Sequence, residues 1–180
     1  MKDIYNPSND SELDIVMKKL DELDHNSISA NDIALLKEIF VVTTYSDLRE
    51  EIAIIMAKRR EIGFLPILMK KLRDVLASRN IWSLIVSAKY FDCSDYLPLF
   101  VDILILQDNG CDLEAATAIA EKMNRIKEED RKYAIQKLQV CILNTMDEKK
   151  RSIIAYTLLA LEEYPYRELS TPPENSHIQV

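Results

Sequence analysis

This chain of 180 residues carries a formal net charge of −7, and 48% of its residues are hydrophobic. Its length is enough for one domain with a sizeable core or for one short repeat array. Gly63 and Gly110 are its two glycines, so few positions favour the positive φ that tight β-hairpins need. The acidic balance argues against nucleic-acid binding, which normally requires a basic surface.

Apolar residues recur at helical spacing along nearly the whole chain. They predict an all-α fold of about nine antiparallel helices, because short connectors make successive helices neighbours. Ser29, Ser46, Asp112 and Asp147 are the predicted N-caps, and Gly63 is predicted to stop the third helix. The predicted helices cover residues 11–24, 29–42, 46–60, 65–77, 79–91, 97–107, 112–124, 128–145 and 147–163.

The predicted helices form one domain over residues 1–165. Residues 166–180 are polar, include two adjacent prolines and have the composition of a disordered tail. The polar, acidic start of the chain lacks the apolar centre of a signal peptide, and no apolar run is long enough to span a membrane. Three widely spaced cysteines without a CxxC pair favour free thiols in a reducing compartment. We therefore expect a cytoplasmic protein without membrane contact.

An internal repeat is visible in two strings, FLPILMKKL at 64–72 and YLPLFVDIL at 96–104. Pro66 and Pro98 suit the first turn of a helix, where no backbone N–H is needed. The helices before them, and a third further on, end in MAKRR, SAKYF and IAEKM, at intervals of 31 to 34 residues. That interval is typical of a solenoid built from helical hairpins.

The repeat resembles HEAT-type helical repeats. Residues 48–74, LREEIAIIMAKRREIGFLPILMKKLRD, contain an arginine-bearing first helix, an alanine near its end, a turn and a proline-led second helix. The resemblance covers 46–74 best and 79–108 less well. It is weakest over 112–145, where YAIQKL at 133–138 replaces the proline motif. It implies a right-handed α–α superhelix, a HEAT-like solenoid whose outer helices are caps.

No motif for catalysis, metal binding or a cofactor stands out. Glu22-x-x-His25 and Glu174-x-x-His177 each spell half of a di-iron motif, but the second follows two prolines in the predicted tail. Cys93 has no basic neighbour to lower its pKa, so we interpret it as a packing thiol. No Gly-rich phosphate loop and no Ser-His-Asp pattern is present. We expect no enzyme, no metal and no cofactor.

A basic cluster keeps one enzymatic alternative open, because some HEAT-like proteins are DNA-base glycosylases with a basic concave surface. These cations fall largely in the last turns of two predicted helices, where they compensate the helix dipole without a ligand. Trp82, within an apolar run, is predicted to lie in the core. We therefore expect no nucleic-acid partner. The cluster consists of Lys58, Arg59, Arg60, Lys70, Lys71, Arg73 and Arg79.

Between Lys89 and Lys122 the sequence contains seven acidic residues and no lysine or arginine. One interpretation assigns these acids to caps, turns and solvated surface, with Asp95 and Asp112 as the caps. The other holds that the asymmetry attracts a basic partner and speeds its association. The seven residues are Asp92, Asp95, Asp102, Asp108, Asp112, Glu114 and Glu121.

Asp102 is the most informative of these acidic residues, since its predicted helix LPLFVDILILQ is otherwise almost entirely apolar. An unpaired buried carboxylate is costly, so Asp102 must reach solvent or meet a cation. Either Leu99 and Leu106 flank it in an apolar groove, or they pack on neighbouring repeats and Asp102 is merely exposed. The buried stripe of this helix is predicted to be Leu97, Phe100, Val101 and Leu104. The predicted partner-binding residues are Asp92, Asp95, Leu99, Asp102, Leu106, Asp108, Asp112 and Glu114.

In size, charge and architecture the chain is similar to bacterial immunity proteins of polymorphic and contact-dependent toxin systems. That resemblance implies a cytoplasmic protein that binds and neutralises a cognate toxin domain, often a basic nuclease, in a one-to-one complex. A general scaffold, adaptor or regulatory subunit would need the same binding surface without a toxin. A DNA-base glycosylase is the third hypothesis and predicts salt-sensitive binding to duplex DNA.

Overall fold

The computed structural model describes residues 5–22, 28–77 and 81–163. These ranges contain α-helices, two short 3₁₀ turns and no strand, so the all-α prediction is confirmed for them. Short 3₁₀ turns at Ser94–Tyr96 and Met123–Arg125 flank the helices of the second half. The helices are α1 (Asp10–Asp21), α2 (Ala30–Val42), α3 (Ser46–Lys58), α4 (Phe64–Asp74), α5 (Trp82–Ala88), α6 (Leu97–Leu106), α7 (Cys111–Lys122), α8 (Glu128–Asn144) and α9 (Glu148–Glu163).

The helices pack in two layers that alternate along the chain. Each odd-numbered helix contacts the next odd-numbered one, from α1 through α3, α5 and α7 to α9. On the other side α2 contacts α4, and α6 contacts α8. The layers meet where α2 packs on α3, α4 on α5, α6 on α7 and α8 on α9. Most helices are therefore next to the helix two places further along, the exceptions among these packed pairs being α4 and α6.

The core is densest around α6, which contacts both α7 and α8. Leu97, Phe100, Val101 and Leu104 are all buried, which confirms the predicted stripe. Ile103 is also buried, so apolar side chains leave this helix for the core in several directions. A helix that is apolar on so many sides belongs in the interior of the fold.

The aromatic residue that opens the first repeat string is also part of the core. Phe64 is fully buried, and its ring meets Phe40 of α2 edge-on at a centroid distance of 5.0 Å. The ring centroid of Phe91, just after α5, lies 6.3 Å from that of Phe64. Edge-to-face pairs of this kind contribute beyond simple area burial. Phe64 therefore joins α2, α4 and the end of α5.

Two of the four predicted N-caps are confirmed and two are wrong. The Ser29 hydroxyl accepts from Asp32 N at 3.3 Å, and Asp147 Oδ1 accepts from Lys150 N at 2.6 Å. Ser46 is the first helical residue of α3, and the cap position belongs to Tyr45 without a side-chain bond. Asp112 lies inside α7, because Gly110 takes the cap position with φ of 91°. Relative to caps at Ser46 and Asp112, α3 therefore begins one residue early and α7 two residues early.

The third helix ends before the predicted stop. Arg60 adopts the left-handed conformation, with φ of 50°, and its N–H donates to Ala57 O. Glu61 N donates to Met56 O, and these two hydrogen bonds together form the Schellman motif that ends a helix. Gly63, with φ of 77°, instead precedes α4 directly. The glycine marks the start of the next helix because Arg60 has already ended α3.

Other sequence-based boundaries shift by a few residues. The fifth helix is shorter than predicted, and Trp82 at its start is 49% exposed, so its assignment to the core was wrong. The predicted end of the first helix and the predicted disordered tail, 166–180, lie outside the described residues, as does Arg79. No helix within the described ranges has the length and apolar character to cross a membrane.

Leu104 and Leu106 lie on the same helix and differ in burial, which allows a matched test of the core. We expect Leu104→Ala to cost about 2–5 kcal/mol of unfolding free energy, because it leaves a cavity. Leu106 is 62% exposed, so Leu106→Ala should change stability by less than about 0.5 kcal/mol. Urea denaturation followed by far-UV circular dichroism measures both. Equal losses would contradict this placement of α6.

Candidate functional site

The seven carboxylates of the segment without cations are all ion-paired in the structure. Each finds a lysine or arginine nitrogen within 4 Å, and two of the cations serve two carboxylates each. The pairs are Asp92–Arg125 (2.8 Å), Asp95–Lys127 (2.8 Å), Asp102–Lys137, Asp108–Lys150 (3.0 Å), Asp112–Lys150 (3.8 Å), Glu114–Lys89 (3.1 Å) and Glu121–Lys89 (3.5 Å). We call these seven acids the acidic strip.

The cations that neutralise the acidic strip come from other parts of the chain. Lys89 precedes the segment, and the other four follow it, in or beside the second 3₁₀ turn, α8 and α9. Seven carboxylates against five cations leave a net charge of −2 for the network. The asymmetry in the sequence is therefore largely compensated in space, which weakens its long-range attraction for a basic partner.

Asp102 is paired with a cation. Its apolar surroundings predicted either such a pair or contact with solvent. Its partner Lys137 comes from α8, and this bond raises the pKa of the Lys137 ammonium. Lys137 Nζ also donates to the Tyr133 hydroxyl at 3.1 Å and lies 5.4 Å from the centre of that ring. Sequence reasoning missed Lys137 because it lies one repeat further along the chain.

The two leucines predicted to flank Asp102 have different environments. Leu99 is buried in the core, whereas Leu106 is exposed at the end of α6. Leu99 thus contributes to packing rather than to an accessible surface. Leu106 shares a polar depression with Gln107, Asp108 and Asn109.

Lys150 and Asp112 form a buried ion pair between α9 and the start of α7. Lys150 Nζ donates to Asp108 Oδ1 at 3.0 Å and to the carbonyl oxygen of Gln107, and Asp112 Oδ2 lies 3.8 Å away. Both Lys150 and Asp112 are buried. A buried cation with this many acceptors anchors α9 against the α6–α7 connection.

The buried pair predicts that substitutions at two adjacent lysines, Lys150 and Lys149, differ greatly in their effect on stability. We expect Lys150→Met to destabilise the fold by about 2–4 kcal/mol, because the Asp112 carboxylate is left buried without its cation. Lys149→Met, at an exposed position of the same helix, should change stability by less than about 0.5 kcal/mol. Thermal and urea unfolding measure both variants. If Lys150→Met proved as mild as Lys149→Met, the buried pair would not anchor α9.

The cysteines show the features of packing residues. Burial raises the pKa of the Cys93 thiol to about 11, so it remains protonated at neutral pH. Burial also raises the pKa of Cys111. Within the described ranges no group of three or more His, Cys, Asp or Glu side chains has the geometry to hold a metal ion. His25 and His177, the histidines of the two half motifs, lie outside those ranges.

Arg49 is a buried arginine that sequence reasoning noted only as part of the repeat. It lies in the first turns of α3 with 6% of its surface exposed. Its Nε has no hydrogen-bond partner, and among the described residues no carboxylate pairs with its guanidinium. Burial lowers the pKa of Arg49, which the nearby Glu50 charge partly opposes. Such an orphan buried charge is costly to a fold.

We expect Arg49→Met to raise the free energy of unfolding by about 1 kcal/mol, because it replaces an uncompensated buried charge with an apolar side chain of similar length. The matched control is Arg73→Met on α4, an exposed arginine whose loss should have little effect. Differential scanning calorimetry of the three proteins measures the change. A clear loss of stability in Arg49→Met would mean that its charge supports the fold.

An apolar groove lies between α7 and α9. Tyr156 is 75% exposed on one side of it, and Leu113 is half-exposed on the other. The hydroxyls of Thr117 and Thr157 are bonded to carbonyls of their own helices, at 2.8 and 2.9 Å. The groove, with a volume of about 260 Å³, is lined by Leu113, Ala116, Thr117, Ile119, Ala120, Ile153, Tyr156, Thr157 and Ala160.

Sequence reasoning also missed the α7–α9 groove, although the spacing of alanines in the two helices indicates it. Small side chains at Ala116, Ala120 and Ala160 face each other across the two helices and leave space between them. Alanines three or four places apart put small residues on one face of a helix. Whether that face is packed shut or left open depends on the neighbouring helix.

No protein-family model, no curated protein and no solved structure matches this chain.

Proposed function

We propose that this chain is a non-catalytic protein-binding module built as a HEAT-like solenoid. The observation that carries the proposal is the open, apolar α7–α9 groove with Tyr156 at its edge. Contiguous apolar surface that is rimmed by polar residues is typical of binding sites. Tyrosine is enriched among the residues that contribute most to protein–protein affinity.

The charge near one end of the groove favours a basic partner. The last turn of α9 contains Glu162 and Glu163 and no basic residue. The first turn of α8 lies beside it, since Arg131 Nη1 donates to Leu161 O at 2.8 Å. Glu128 of that turn is ion-paired with Arg131 and Lys132, so Glu129 and Asp130 carry its acidic charge. Glu162 accepts from the neutral Gln139 amide, at 2.9 Å. Helix C-termini and unneutralised carboxylates together attract cationic groups.

Within the class of binding modules, we propose an immunity protein that binds and neutralises a basic bacterial toxin domain, such as a nuclease, in the cytoplasm. A net charge of −7 and an all-helical chain of this size support that proposal. The apolar groove would accept an aliphatic or aromatic anchor of the toxin. The exposed members of the acidic strip, such as Asp95 and Asp108, would form the rim by exchanging their intramolecular cations for those of the toxin.

Site-specific photo-crosslinking tests where the partner binds. A benzophenone amino acid at Tyr156 should capture one basic protein in the native host. The same probe at Trp82, a half-exposed aromatic position on α5, should not capture it. The captured protein is then expressed alone and together with this chain. Growth arrest by the protein alone, relieved by co-expression, is the result expected of a toxin and its immunity protein.

The affinity of the complex is then measured with the purified chain and the purified captured protein. We expect Tyr156→Ala to weaken the complex by about thirtyfold, as for an aromatic anchor worth about 2 kcal/mol. Trp82→Ala should leave the affinity unchanged. A captured protein that is harmless on its own would replace the immunity assignment with a scaffold or adaptor. Capture from Trp82 and not from Tyr156 would remove the groove from the interface.

A further inference from the structure

One face of α9 has the residue spacing of a helix that packs against another helix. Its side chains lie alternately three and four positions apart, which places them in one stripe along the helix. This is the spacing by which helices pair side by side. The stripe starts with a cation, has Tyr156 at its centre and ends with a carboxylate. We call it the α9 stripe, and its members, all exposed, are Lys149, Ser152, Tyr156, Leu159 and Glu163.

The charges at the two ends of the α9 stripe are opposite to those that the helix dipole favours. Anions stabilise the N-terminal turn of a helix and cations the C-terminal turn, whereas Lys149 lies in the first turn of α9 and Glu163 in the last. The nearby Lys150, Arg151 and Glu162 are held by partners within the chain. Within the described residues, no hydrogen bond or ion pair involves the side chain of Lys149 or of Glu163. These two charges are therefore available to a molecule from outside.

The α9 stripe is complementary to a second copy of itself that runs in the opposite direction. Tyr156 lies seven residues after Lys149 and seven before Glu163. A two-fold axis at Tyr156 therefore brings Lys149 of each copy to Glu163 of the other. The same rotation places the small Ser152 opposite the larger Leu159 and the two Tyr156 rings beside each other. Isologous contacts of this kind are the rule in two-fold homodimers.

Tyr156 belongs both to the α9 stripe and to the α7–α9 groove. Its side chain is 75% exposed, and Leu113 on the other side of the groove is half-exposed. A second helix along α9 therefore covers apolar surface of the groove as well as the stripe, and this burial strengthens the contact. Because a second copy and another protein would both need Tyr156, only one of them can occupy this surface at a time.

We propose that this chain forms a homodimer by antiparallel pairing of two α9 stripes, and that the dimer covers the α7–α9 groove until a protein partner displaces the second copy. One pair of helices is a small contact for a protein interface, so the dimer is weak and reversible. The dimer depends on α9 alone, whereas its displacement by a partner also rests on the proposed function.

Sedimentation equilibrium of the whole chain tests the dimer. We expect the mean mass to rise from that of one chain toward that of two between about 1 µM and 1 mM, the range of weak association. Tyr156→Ala should weaken self-association by at least about tenfold, because the apolar centre of the contact is lost. Trp82→Ala, at a half-exposed aromatic position outside the stripe, should associate within about twofold of the native chain. A chain that stays monomeric at about 1 mM would overturn the dimer.

Charge reversal tests the antiparallel pairing. Lys149→Glu and Glu163→Lys each set like charges against one another across the axis, so each should weaken self-association by at least about tenfold. A variant with both substitutions restores opposite charges and should associate within about threefold of the native chain. Both substitutions agree with the helix dipole, so the fold is retained, and circular dichroism checks this.

Net charge alone predicts a different result. Glu163→Lys reduces the negative net charge of the chain, so a nonspecific charge effect would strengthen self-association. Glu38→Lys, at an exposed position of α2, is the matched control and should associate within about twofold of the native chain. If Glu163→Lys associated as well as Glu38→Lys, or if the double variant stayed as weak as the single variants, the antiparallel pairing would be overturned.

The protein captured by the photo-crosslinker tests the displacement. In the native host, a crosslinked dimer is separated from the captured protein by mass, since it contains two copies of this chain. With purified proteins, addition of the captured protein to the dimer should give a one-to-one complex. A complex of two chains with two captured proteins, or a dimer that the captured protein leaves intact, would overturn the displacement. A monomeric chain that binds the captured protein through Tyr156 would overturn the dimer and leave the proposed function in place.

Discussion

The structure depends above all on the burial of α6. A helix with one apolar stripe can lie at the surface, but a helix that is apolar on most sides needs neighbours around it. In this chain α7 and α8 supply that cover. Burial of Leu, Ile and Phe side chains contributes about 1.5–3 kcal/mol each, so covering α6 stabilises the fold strongly. The packing of α7 and α8 against α6 meets this requirement.

The charge distribution is a consequence of the same helix packing. Because α8 covers α6, Lys137 comes to lie on Asp102, and because α9 covers α7, Lys150 comes to lie on Asp112. The acidic strip is then mostly neutral as a group, and the surface features without internal partners lie elsewhere. An apolar groove with acids nearby is formed by α7 and α9, and a buried arginine without a carboxylate partner among the described residues, Arg49, lies in α3.

Local sequence rules worked where the interaction was local. Ser29 and Asp147 were recognisable as caps because a hydroxyl or carboxylate bonds a backbone N–H three residues ahead. These rules failed where the conformation or exposure of a residue depended on other parts of the structure. A glycine marks a position that tolerates positive φ, but Arg60 takes that conformation first. Trp82 lies in an apolar run of the sequence, yet its side chain is half-exposed at the start of α5.

The sequence by itself determined the helical class, the buried face of α6 and the repeat interval, since these depend on the 3.6-residue period and on spacing along one dimension. Tertiary structure alone decided which charges meet, which leucine of α6 is exposed, which arginine has no partner and which helix pair leaves a groove. Those outcomes depend on distances between segments about one repeat apart and on the volumes of facing side chains, and neither is written in the periodicity of a single helix.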